Sequence, residues 1–93
     1  MIKCRVEMWG LPREVSRRAE VEVKLNDKAS LHDVIAALRI QVPEFIGVVI
    51  REDEDELEDT CVFNIDGQFI QEDQNPEVKD GERIRLLTLA TGG

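Results

Sequence analysis

From Ser30 to just before Pro43 the apolar residues fall at helical spacing, while the apolar runs on either side mostly alternate with period two. Leu31, Val34, Ile35 and Leu38 occupy i, i+3, i+4 and i+7, which gives a helix one apolar stripe. Ser30 supplies an N-cap, and Asp33 three residues on approximates a capping box with Asp in place of Glu or Gln. Pro43 ends the helix, because the residue before a proline is pushed out of the helical region. One amphipathic helix among half-buried strands covers its stripe by lying across a sheet face, so the predicted class is α+β.

The strands follow from the same reasoning. In Ile2 to Met8, Ile2, Cys4, Val6 and Met8 face a core while Lys3, Arg5 and Glu7 face water. Gly10, Pro12 and the polar residues to Arg18 read as a turn. Alternation resumes from Ala19 to Leu25, close enough to pair with the first strand as a hairpin. Thr60 to Ile65 is rich in strand formers, Asp66-Gly67 is a hairpin turn, and Gln68-Phe69-Ile70 returns as a short strand. Lys79-Asp80-Gly81 turns the chain into a last strand from Arg83 to Leu89. If the first and last strands lie side by side at the centre, four or five strands grip one helix in the β-grasp arrangement. Residues 1–93 then form a single domain, with 88–93 a flexible tail.

Two segments admit more than one reading. Glu44 to Ile50 is too short for periodicity to separate a helix from a buried strand. Ile84 and Leu86 fit the core face of the last strand, which leaves Leu87 and Leu89 pointing outward. They form either a docking patch or a second buried face under the Pro43 to Ile50 segment.

Charge and residue chemistry exclude several functions. The net charge of −8 repels phosphate and argues against nucleic acid, and it favours a partner with a basic docking surface. No apolar run approaches the roughly 20 residues that cross a bilayer, and the alternating N-terminus lacks a signal peptide's apolar stretch. A cytoplasmic location is expected. Cys4 and Cys61 lack CxxC spacing and read as reduced, buried thiols. Seven carboxylates crowd residues 51–59, without the glycine and terminal glutamate of an EF-hand loop; a solvated acidic loop is expected rather than a metal site. His32 is the only histidine and has no nucleophile in a recognisable set, so an independent enzyme is not expected.

The sequence closes with Leu89-Ala90-Thr91-Gly92-Gly93 directly after an apolar strand. Two glycines without Cβ atoms can thread a narrow slot and let a partner's groups approach their carbonyls. Six residues from Thr88, extended at roughly 3.3 Å each, reach about 20 Å from the body. Asn64-Ile65-Asp66-Gly67, then Val78-Lys79-Asp80-Gly81-Glu82-Arg83-Ile84 and the closing Gly92-Gly93, resemble the ThiS/MoaD family of ubiquitin-like sulfur carriers. Val6-Glu7-Met8-Trp9-Gly10-Leu11 with Arg13-Glu14 stands where that family has a strand, an aromatic and Leu-Arg-Glu. Pro43-Glu44-Phe45 and the acidic stretch are closer to the molybdopterin-synthase small-subunit branch. Asp66 within the turn and the lack of a proline before the tail depart from the family pattern.

The resemblance implies a mechanism. A partner resembling ubiquitin-activating enzymes would bind ATP and adenylate the Gly93 carboxylate, and sulfide or a persulfide would displace AMP to leave a thiocarboxylate. The chain itself would bind no cofactor or metal. Gly92 and Gly93 would carry the chemistry, with Leu87, Leu89, Phe69 and Thr91 contacting partners: the activating enzyme, and a synthase large subunit or other sulfur-accepting enzyme. The same tail also serves a ubiquitin-like modifier joined through Gly93 to target lysines.

Overall fold

A computed structural model describes residues 1–89. Ile2–Met8 (β1) runs antiparallel to Glu20–Leu25 (β2), with Ile2 opposite Leu25 and Val6 opposite Val21. The final strand, Arg83–Thr88 (β5), lies parallel to β1 at the centre and antiparallel to Cys61–Ile65 (β3). Gln68–Phe69 (β4) closes the far edge, giving the order β2-β1-β5-β3-β4. This five-stranded mixed sheet with one main helix is the expected ubiquitin-like β-grasp fold.

Leu31–Gln41 is the gripping helix (α2); Leu31, Val34, Ile35 and Leu38 are its buried residues. Its first turn is closed by the Asp33 carboxylate, which accepts the Ser30 N–H at 2.8 Å. Alternation along β1, β2 and β5 sends Cys4, Val6, Met8, Val21, Val23, Ile84 and Leu86 to the same core. Both cysteines sit there as free thiols.

Two segments differ from the sequence reading. The stretch after Gly10 is not a plain turn but a short helix, Leu11–Ser16 (α1), with Pro12 in its first turn, where the missing N–H costs nothing. After α2, the segment that reads as a short helix or a buried strand is a single helical turn followed by a tight loop, not a strand. Pro43–Phe45 makes one 3-10 turn, and the Phe45 carbonyl accepts the N–H groups of Val48, Val49 and Ile50. That knot buries Phe45, Val49 and Ile50 completely. Leu87 is partly buried and Leu89 is exposed, so the two do not share one buried face.

The turns are built as their residues require. Asp66 and Gly67 both take positive φ, 53° and 81°, the geometry of a two-residue hairpin loop whose twist matches its strands. The Asn64 side-chain oxygen fixes this turn by accepting the Gly67 N–H at 3.1 Å.

The acidic segment is held from inside. Arg39 on α2 donates to the carbonyls of Arg51, Glu52 and Glu54 and pairs with Asp55 at 3.2 Å. Arg51 lies among Glu54, Glu56, Glu58, Asp59 and Glu72 at 3.0–3.8 Å. Burial works against the charge of this guanidinium, but Asp59, Glu72 and Glu54 outweigh it and raise its pKa.

Candidate functional site

The root of the tail is anchored on two sides. Thr88, which the sequence places both in the last strand and at the start of the tail, is the last residue of β5. Its hydroxyl oxygen accepts the Leu11 N–H at 2.6 Å, satisfying one of the donors that a helix start leaves free. Gly10, at φ 63°, makes that approach possible, since a Cβ there would collide with Thr88 Oγ1. Leu89 donates its N–H to the Thr60 carbonyl at 2.7 Å. The chain therefore leaves the sheet from a point tied both to α1 and to the start of β3. Thr91, Gly92 and Gly93 lie outside the described residues.

Around this point the three apolar side chains singled out in the sequence separate. Leu87 pairs in register with Val62; strand alternation turns Leu87 to the sheet face opposite α2, while Val62 also borders the cleft at the β3–β4 edge. Trp9, half exposed, directly follows the buried Met8 at the end of β1, and its backbone N–H donates to the Leu86 carbonyl at 2.9 Å. Leu89 and Phe69, 43% and 55% exposed, instead line a cleft of about 390 Å³ at the β3–β4 edge, beside Leu31 and Ile35.

Trp9 and Thr88 are not among the candidate site residues of the sequence, although Trp9 stands at the aromatic of the family run and Thr88 begins the six-residue tail. The isolated tryptophan after a strand was a signal for the first; nothing in the local pattern marked the second.

Charge divides along the same line. The open sheet face carries Lys3, Arg5, Lys24, Arg83 and Arg85 against Glu7, Glu20 and Glu22. Glu7 bridges two of them, at 3.0 Å to Arg83 and 3.7 Å to Arg85. This face is thus slightly basic within a chain of net charge −8, and the acidity that favours a basic partner is concentrated elsewhere.

The described residues offer little chemistry of their own. Burial pushes the Cys4 thiol up to about 11, with Glu82 adding to the shift, and it raises Cys61 as well. Neither is an available nucleophile. No group of three or more His, Cys, Asp or Glu side chains among the described residues is placed to hold a metal ion. Nor is any helix among them long and apolar enough to cross a membrane.

Comparison with known proteins agrees with this fold. A model of the ThiS family matches residues 6–93. SAMP1 from Haloferax volcanii superposes with a TM-score of 0.80 at 21% identity, covering 98% of this chain and 99% of that one. Small archaeal modifier protein 1 (SAMP1) from Methanosarcina acetivorans gives 0.78 at 23%, covering 100% and 98%. A Pyrococcus furiosus protein described as molybdopterin converting factor, subunit 1, gives 0.75 at 20%, covering 97% and 100%. At these identities the structural likeness shows the fold alone. No curated protein sequence matches significantly.

Proposed function

The chain belongs to the ThiS family, and from that premise we propose that it is a sulfur carrier whose reactive group is the Gly93 carboxylate. The observation that carries this reading is the family match running through to Gly93, on a fold whose last strand is pinned at Thr88 and Leu89. A carboxylate is a poor acyl donor because its oxygen leaves badly. In a partner resembling ubiquitin-activating enzymes, a Gly93 carboxylate oxygen attacks the α-phosphorus of ATP and pyrophosphate leaves. Sulfide then adds to the acyl carbon of the adenylate and AMP departs, leaving a terminal thiocarboxylate.

The carrier supplies no acid, base or metal to these steps. It supplies position: docking holds the acyl group where the reaction becomes effectively unimolecular. A sulfur-accepting enzyme, of the molybdopterin-synthase type by the resemblance, takes the thiocarboxylate next. Leu87 with Trp9 and Val62 offers the activating or accepting partner one apolar contact; Leu89 and Phe69 offer another.

The archaeal modifier proteins among the structural neighbours favour a second reading. In it the same adenylate is passed to a target lysine instead of sulfide. Incubation with ATP and an activating enzyme tests the shared first step. Pyrophosphate release is expected from the chain with a free Gly93 carboxylate and is lost when one residue is added after Gly93. Release that survives the extension overturns both readings. Analysis of protein from cells then separates them: a sulfur-for-oxygen exchange marks the carrier, and adducts on other proteins mark the modifier.

A further inference from the structure

The cleft beside the tail's root differs in kind from the sheet face around Trp9 and Leu87. Its floor is apolar, with Leu31 and Ile35 from α2, Cys61 and Phe63 from β3, and Ile70 with Phe69 at the edge. At about 390 Å³ it falls within the range of built ligand sites, about 300–1,000 Å³. Its rim is acidic: Glu56, Glu58, Asp59 and Glu72 stand around it. All four approach a single cation, the Arg51 guanidinium, at 3.0–3.8 Å. Four carboxylates against one guanidinium leave the rim strongly negative. No lysine or arginine is among the lining residues. Leu89 lines the same cleft, so an occupant touches the chain one residue before Ala90.

We propose that this cleft seats a basic segment of a partner protein: an aliphatic or aromatic side chain flanked by lysine or arginine. The anchor packs on Leu31, Ile35 and Phe63, and its flanking cations lie against Glu58, Asp59 and Glu72. Charge selects this occupant over others. Nucleic acid is repelled; a second copy of the chain carries a net charge of −8, and the cations of its slightly basic sheet face lie within β1, β2 and β5 rather than on a segment that could enter the cleft. A neutral apolar ligand leaves the acidic rim without a counterpart. Which protein brings the segment rests on the carrier reading, since an enzyme that reaches the terminal carboxylate also meets Leu89. Binding of a basic segment does not depend on that reading.

An NMR titration of the full chain tests the proposal. The probe is a short amidated peptide with one leucine between lysine pairs, and its control has glutamates in place of the lysines. Amide shifts at Leu31, Phe63, Ile70 and Leu89 are expected to saturate with the lysine peptide, most tightly at low salt, and to ignore the control. Glu72→Lys, at an exposed position, should weaken binding roughly tenfold or more, as expected for charge reversal beside a bound cation. Phe69→Ser, also exposed, should weaken it while the remaining spectrum stays native.

Shifts centred on Trp9, Leu87 and Arg85, equal responses to both peptides, or no saturable response overturn the proposal. So does saturation by an uncharged apolar dye with no peptide response, which would make the cleft a small-molecule site. A chain that binds the peptide yet yields no pyrophosphate with an activating enzyme overturns the carrier reading and supports the cleft assignment.

Discussion

At Gly10 a single methyl group decides whether the tail's root can form. An added Cβ meets Thr88 Oγ1, and the φ of 63° is already unfavourable for alanine. Gly10→Ala is therefore expected to cost about 1–3 kcal/mol, read from the urea midpoint. A second residue-scale effect is set by burial of Cys4. Its thiol is raised in the folded state from 9.0 to about 11, so the neutral form is favoured there more than in the unfolded chain. The resulting stabilisation is fully present below the unfolded thiol's pKa and is lost as pH rises from 9 toward 11. The urea midpoint should fall across that window, and Cys4→Ala should flatten the fall. An unchanged slope in the variant would assign it to other groups.

At the scale of elements, the acidic loop depends on basic residues more than on its own carboxylates. Arg39 holds three backbone carbonyls of residues 51–54 from its place on α2. Arg39→Met should cost about 2 kcal/mol, the worth of hydrogen bonds from a charged donor. It should also speed amide exchange across residues 51–59 while β1 and β5 stay protected. The sequence carried α2 and the Asp66-Gly67 hairpin plainly, because cap, period and turn chemistry agree within a few neighbouring residues. It did not carry α1: six residues show less than two helical turns of pattern, and Pro12 reads equally as a turn residue and as a helix start. Nor did it carry the knot after Pro43, where one carbonyl serves three N–H groups and the Pro43–Phe45 turn packs against both α1 and α2.

For the molecule as a whole, the fold separates two surfaces that composition averages into one number. A net charge of −8 pointed to a basic partner. The structure gathers carboxylates at the cleft rim and leaves the open sheet face slightly basic, so the two sides of the tail's root suit different contacts. Leu87 and Leu89 looked equivalent in the sequence because both break the alternation of the last strand. Only the sheet edge, formed by chain far away in sequence, sends one to the open face and the other to the cleft. The role proposed for the diglycine end rests on the sequence and the family match, since Gly92 and Gly93 lie outside the described residues.

The central claim is that the reactive atoms are those of the Gly93 carboxyl group. The most direct measurement is the mass of the C-terminal peptide after incubation with ATP, sulfide and an activating enzyme. Replacement of one Gly93 oxygen by sulfur is expected, with no such product from a folded variant lacking Gly92 and Gly93. An unaltered Gly93 in a reaction that consumes ATP, or full cellular function from the shortened variant, would contradict it.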